Sequence, residues 1–226
     1  MNWQDEGFLI SKIKFRENAN IINVFTNSFG KVSGIVYGGN SRKIRNHLQL
    51  TNKIFVFYSS KSENKLGYFK TELVEAISPK FFNNKEKTSA LLSISNILNI
   101  ILPDSQPNKE IFNSLNNLVK KFDKNYWIIL YVLWELDLIK NLGFDPNLDR
   151  FSEAKEKKEY IKTVKIDNIN YQVPFFLLDK IDNFSIEKKF IKTALNFNRN
   201  LMLNKFFAPN NLVIPKSRII LENYFI

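Results

Sequence analysis

Between residues 7 and 76 the apolar positions come in short runs, some alternating with polar residues and some continuous: GFLISKIKF, NIINVFTN, GKVSGIVY, NKIFVFYS and LGYFKTELVE. Asn18, Asn27, Gly30, Gly38, Gly39 and Gly67 mark the breaks between them, as turn residues do between strands. Five short strands joined this way predict a small barrel. Side chains alternate along a strand, so in NKIFVFYS the residues Ile54, Val56 and Tyr58 face one way and Phe55 and Phe57 the other. Both faces are apolar. One is expected to fill the barrel and the other to lie under the second half of the chain.

After Pro79 the period lengthens to that of helices, over TSALLSISNILNIIL, KEIFNSLNNLVKKF and NYWIILYVLWELDLIKNLG, with a later helical stretch from about Ser185 to Phe207. NYWIILYVLWEL is apolar nearly all round, which predicts a helix packed on several sides, and Gly143 suits its C-terminal end. From Asp145 to about Pro174 the chain is polar and rich in Lys and Glu, predicting a short hairpin or an irregular lobe. The mixed-sign run 153–159 within it reads as a solvated face. No internal repeat stands out.

Composition narrows the chemistry. The 226 residues are 44% hydrophobic and 14% aromatic, ample for a packed core. There is no cysteine, which excludes disulfides, thiolate nucleophiles and thiolate-bound metal sites, and the single histidine, His47, cannot form a cluster. The start MNWQDE does not resemble a secretory or transit peptide, and the longest apolar run, Tyr126 to Trp134, is far short of the roughly 20 residues that span a bilayer. A cytoplasmic protein with no membrane partner is expected. The net charge of +11 favours polyanions, whether nucleic acid, anionic lipid or acidic peptide. An AT-rich genome would also yield this wealth of Lys, Asn, Ile and Phe, so position has to decide.

Five strands with a helical segment between the third and fourth is the pattern of an OB-fold, which binds nucleic acids across its second and third strands and through the loops joining strands one to two and four to five. The expected architecture is α+β: an N-terminal five-stranded OB-fold β-barrel over residues 1–78, then an α-helical domain over 79–226 carrying the cysteine-free lobe at about 145–174. Arg16 falls in the first of those loops and Lys61 and Lys65 in the second. Asn23 and Phe25 fall on strand two, and Lys31, Ser33 and Tyr37 on strand three. Cations suit phosphates and aromatic rings suit bases, although Phe25 and Tyr37 fit a barrel core equally well.

The stretch GGNSRKIRNHLQ lies between strands three and four. Asn40 or Ser41 can cap a short helix whose Ile44 and Leu48 point inward at i and i+4, leaving Arg42, Lys43, Arg45 and His47 over the remaining arc. Glycines before a helix N-terminus suit close approach to a phosphate, so the segment is expected to grip a nucleic-acid backbone.

These residues carry a resemblance. VFTNSFGKVSGIVYGGNSRKIRNHLQL, together with the opening WQDEGFLIS and with RENANIINVFT, resembles the N-terminal region of the RecO recombination mediators; WELDLIKNLGFD resembles that family's central helix and PKSRIILENYF its C-terminal helix. The match spans most of the chain in the right order. It implies an OB domain and a helical domain without enzymatic activity. Partners implied are single- and double-stranded DNA, RecR, the acidic C-terminal tail of the single-stranded DNA-binding protein and, indirectly, RecA. The implied activity is strand annealing and assistance to RecA loading in repair and recombination. Many members carry a four-cysteine zinc motif after the position of Gly143. This chain has FDPNLDRFSEAKEKKEYIKTVKIDNINYQV there, so a zinc role is not carried over and no cofactor is expected.

A receptor for an acidic, apolar-ended tail needs a hydrophobic notch edged by cations. Phe190, Ala194, Phe197 and Leu201 recur at helical spacing, with Lys188, Lys189, Lys192 and Arg199 at their margins; the same stripe would also serve as ordinary core. Nothing in the chain assembles an active site. There is no phosphate loop, His47 sits among cations, and Glu135 and Asp137 lie two apart on a helix and point to different sides. Two other classes compete with the mediator: an RNA-binding OB module of RNA metabolism, and a magnesium-dependent nucleic-acid enzyme.

Overall fold

A computed structural model describes residues 1–38, 41–62, 65–152, 160–178 and 186–225, with the side chains of Arg42, Lys43 and Arg45 also outside the description. The alternative cap Asn40, the charged run 153–159 and the helix start expected at Ser185 thus lie outside the described residues. The chain divides into two compact units, residues 1–112 with 215–218, and residues 113–214 with 219–226.

The first unit contains β1 (Asn2–Arg16), β2 (Ala19–Thr26), β3 (Gly30–Tyr37), β4 (Lys53–Ser59) and β5 (Gly67–Glu75), with the six-residue helix α1 (Arg42–His47) between β3 and β4. They close into a barrel in the order β1-β2-β3-β5-β4, as expected of an OB-fold. β1 begins earlier than its apolar pattern suggested. Asn2 to Phe8 pair with Ser59 to Lys53 of β4, and from Gly7 onward the strand pairs with β2, with register shifts after Leu9 and Lys14. The barrel closes along β3 and β5, which run parallel for two pairs, Gly34 with Gly67 and Ile35 with Tyr68. Glycine is needed on both strands because aromatic rings fill the space above them: a Cβ on Gly34 would lie 2.6 Å from the Phe69 ring, and one on Gly67 would lie 2.3 Å from Tyr58. Leu9, Ile22, Val24, Val36, Leu48, Ile54, Val56 and Phe69 fill the interior.

Ile54 and Val56 point inward as the alternation predicts, but the outward face of β4 corrects the expectation that the second half covers it. Phe57 is 38% exposed, with Phe55 edge-on beside it. The cover falls elsewhere in the unit. Helix α2 (Lys85–Ile101) packs on β1, and Phe112, near the start of α3 (Lys109–Lys120), meets the rings of Phe8 and Phe25 at 5.3 and 5.7 Å. The physical reason is the neighbourhood of each ring. Phe8, Ile10 and Phe25 form contiguous buried apolar surface, whereas Phe55 pairs across to Glu6 and Glu72 and Phe57 to Gln4 and Lys70, whose burial beside them would be costly.

In the second unit α4 (Trp127–Asn141) packs on α5 (Lys188–Met202), which widens into a π turn over Leu203–Phe207; of the last helix, α6 (Lys216–Asn223), residues 219–223 belong to this unit and 216–218 to the first. Gly143 ends α4 at φ +100, where its N–H donates to the Lys140 carbonyl and the Phe144 N–H to the Ile139 carbonyl, the paired bonds of a glycine-terminated helix. The polar stretch contains a hairpin, β6 (Ile161–Ile166) and β7 (Ile169–Pro174), turned by Asp167 and Asn168, both with positive φ. Among the described residues no helix is long and apolar enough to cross a membrane.

Candidate nucleic-acid interface

The β2–β3 surface, where an OB-fold usually receives its ligand, is occupied from within the first unit. Asn23 on β2 accepts from the Ser33 hydroxyl at 2.7 Å and donates its Nδ2–H to Asn99 Oδ1 on α2, also at 2.7 Å. Lys31 Nζ donates to the Asn99 carbonyl at 3.0 Å and pairs with Asp104 at 3.1 Å, leaving its side chain only 11% exposed. Phe25 is fully buried under Phe112. Asn23, Phe25, Lys31 and Ser33, placed at the ligand face by their position in the strands, are therefore engaged in holding α2 and the segment after it.

The open surface lies at the other end of β3. There a groove of about 1000 Å³ is lined by Trp3, Tyr37, Ile44, Tyr58, Tyr68 and Phe69, among others. Trp3 stacks between Phe29 and Tyr58, at ring-centroid distances of 4.1 and 4.8 Å, which makes an aromatic floor. On the rim the rings of Tyr37 and Tyr68 lie 5.7 Å apart and within 19° of parallel, 55% and 41% exposed. The strand ladder explains the meeting, since Ile35 pairs with Tyr68 across the short parallel joint and Tyr37 is the next outward residue of β3.

Of the cations predicted for the site, Arg16, Lys61 and Lys65 lie toward this end. Arg16, the last residue of β1, pairs with Ala19, which pairs with Tyr37, so the three form one row across the sheet. Its guanidinium lies 5.1 Å from the Phe15 ring centroid. Lys61 and Lys65 are exposed in the loop after Ser59, the residue paired with Tyr68. Lys70 projects from the same side of β5 as Tyr68. Helix α1 borders the groove through Ile44, and Ser41 caps it by accepting from the Ile44 N–H at 3.4 Å. The side chains of Arg42, Lys43 and Arg45 lie outside the described residues. His47 corrects its expected place on the exposed arc. It is buried, with Nε2 3.0 Å from Thr71 Oγ1, and its carbonyl accepts from the fully buried Asn52, whose Oδ1 in turn accepts from the Ile77 and Ser78 N–H groups. At position 47 the helix has turned its arc toward β5, so a residue read as rim is part of the packing.

In the second unit the stripe Phe190, Ala194, Phe197 and Leu201 is core. All four are buried, with Tyr160 stacked on Phe190 and Tyr171 edge-on to Phe197. The notch expected from these residues is therefore not open. Of the cations at its margin, Lys188 and Lys189 are exposed, Lys192 is half-buried and Lys189 pairs with Glu187 at 2.9 Å. Arg199 Nε lies 2.9 Å from Glu222 Oε1, close enough for an ion pair though not aligned for a hydrogen bond.

Family models match both parts of the chain, that described as Recombination protein O N terminal over residues 1–77 and that described as Recombination protein O C terminal over residues 83–159. The chain belongs to the RecO family. A protein named DNA repair protein RecO from Ehrlichia chaffeensis is 28% identical over 237 residues, covering 98% of this chain and 95% of that relative. The proteins of the same name from Wolbachia sp. subsp. Drosophila simulans and from Ruegeria sp. are each 30% identical, covering 71% and 66% of this chain and 68% and 62% of those relatives. The four-cysteine zinc motif that the resemblance implies for many members has no counterpart in this chain, which has no cysteine. Tyr68, Lys70 and Trp3 were not singled out from the sequence. The signal that could have found the first two is the alternation in GYFKTE, where Tyr68, Lys70 and Glu72 share the side opposite Phe69 and Thr71.

Proposed function

We propose that this protein is a DNA-binding recombination mediator in DNA repair. It binds and anneals single-stranded DNA and, together with RecR, helps load RecA onto DNA coated by the single-stranded DNA-binding protein. The observation that carries this reading is the match to RecO family models across both parts of the chain, with one relative named DNA repair protein RecO aligned along almost its whole length. The open aromatic groove, with Arg16, Lys61, Lys65 and Lys70 around it and α1 along its edge, supplies the two elements that single-strand binding requires: rings for bases and cations for phosphates. The role is one of binding and strand annealing rather than catalysis.

Lys188, Lys189 and Lys192 are offered as the cations that meet the acidic tail of the single-stranded DNA-binding protein, without the apolar stripe beneath them, which is already packed. The deciding experiment is annealing of complementary strands coated with that protein, with and without chelator. Annealing that exceeds the spontaneous rate and is unaffected by chelator is expected. Absence of acceleration refutes the mediator reading, and turnover abolished by chelator would instead indicate a metal-dependent enzyme.

A further inference from the structure

We propose that Tyr37 and Tyr68 form a stacking platform for the unstacked bases of a single DNA strand, and that the strand runs across the β3–β5 end of the barrel instead of the β2–β3 face. The inference rests on the reading of the chain as a DNA-binding protein and names where and how that binding occurs. Two observations carry it. The β2–β3 face has no room for a strand, because Asn23, Lys31 and Phe25 are engaged by Asn99, Asp104 and Phe112. The two tyrosines are the reverse case: their rings lie near-parallel and 5.7 Å apart, and the residues are 55% and 41% exposed at the rim of a groove.

The charge pattern agrees with that placement. Lys31, Lys53 and Lys80 are each paired with a carboxylate, from Asp104, Glu6 and Glu75. Among the described residues, no ion pair involves Arg16, Lys61, Lys65 or Lys70, the four cations that flank the tyrosines. Arg16 stands in the row of Tyr37, Lys70 on the side of Tyr68, and the two loop lysines follow the residue paired with Tyr68. A polyanion laid across the rings would thus find cations on either side that are not held in ion pairs. Every base has a π face, so such a platform accepts any sequence. Bases in a duplex already stack on each other and have no face to offer. The platform therefore separates single strands from duplex, while the cations serve both.

The test uses the full chain. An oligodeoxynucleotide bearing 5-iododeoxyuridine is bound to the wild-type protein and irradiated with long-wavelength ultraviolet light, which joins the base to an aromatic ring stacked on it, and the modified peptide is found by mass spectrometry. Modification at Tyr37 or Tyr68 is expected. In parallel, Tyr37→Leu and Tyr68→Leu, which keep apolar volume but lose the ring, are each expected to weaken oligothymidine binding by roughly tenfold while changing duplex binding by less than about twofold. Tyr37→Phe and Tyr68→Phe keep the ring and are expected to bind as wild type does. The leucine variants remove no phosphate contact, so the slope of log affinity against log salt is expected to stay as it was. DNA that binds but crosslinks only elsewhere, or leucine variants with wild-type affinity, would overturn the platform and leave the mediator reading standing. A wild-type chain that binds no single-stranded DNA would overturn both.

Discussion

A Cβ placed on Gly67 lies 2.3 Å from the ring of Tyr58, and Tyr58 in turn supports Trp3 and the groove floor. Gly67→Ala should therefore force the Tyr58 ring outward and cost about 1–3 kcal/mol, as overpacking does in a filled core. Urea unfolding reads the loss. A midpoint unchanged from wild type would mean that the ring yields without strain. At the exit of α4 the relevant residue is Asp145, whose carboxylate accepts from the Asn147 N–H at 2.9 Å and pairs with Lys140 at 3.0 Å. These contacts, the backbone bond first, hold its carboxyl below the ordinary value of 3.8, while bonding to Asp145 raises the Lys140 ammonium above 10.5. A lowered acid contributes stability above its unfolded value and loses it as pH falls through the folded value; a raised base contributes below its unfolded value and loses it as pH rises through the folded one. Both contributions are complete at neutral pH. Asp145→Asn keeps an oxygen for Asn147 but not the charge, so denaturation midpoints of mutant and wild type should converge in acid below the Asp range. A constant gap across that range would show that the charge is irrelevant.

Among the elements, the hairpin β6–β7 illustrates how a segment polar in sequence is held by an apolar inner face. Val164, Ile166, Tyr171 and Val173 alternate inward and are buried; Asn204 donates to the Tyr171 hydroxyl at 2.9 Å, and Lys205 pairs with Asp167 at the turn. Helix α5 supplies the floor through Phe197. Phe197→Ala should accordingly cost about 3–5 kcal/mol, the range for emptying an aromatic core site. Replacement of the exposed Lys189 together with Lys192 by glutamate should change stability by less than about 0.5 kcal/mol for each position. Thermal melts separate the two cases. The same lysine variant, titrated calorimetrically with an acidic tail peptide, should bind it about tenfold or more weakly if these lysines receive it. Equal affinities would move the tail elsewhere.

At the scale of the whole molecule the quantity to measure is the salt dependence of single-strand binding. With Arg16, Lys61, Lys65, Lys70 and one or two cations of α1 on phosphates, log affinity should fall with log salt at a slope of about −3 to −4, from roughly −0.7 per contact. Arg42→Ala with Arg45→Ala should flatten it by about one. A slope identical to wild type would remove α1 from the strand's path.

The barrel, the central helix ending at Gly143, the hairpin as one of two readings of the polar stretch, and the RecO resemblance were legible in the sequence because each rests on local information: period-two alternation, a nearly all-apolar helix, a glycine where φ must be positive, and motif order along the chain. Tertiary structure decided which apolar and polar faces met. Phe25 and Tyr37 sit on adjacent strands with similar local patterns, yet one is fully buried under Phe112 and the other stands at the rim. Lys31 and Lys70 are both strand lysines, but only Lys31 has Asn99 and Asp104, about seventy residues further on, brought against it. His47 shares a short basic helix with three charged neighbours and still turns inward to Thr71. A residue's own neighbours set its strand and side. Whether that side meets solvent, a helix or a strand of DNA depends on segments distant in the chain, which local pattern does not encode.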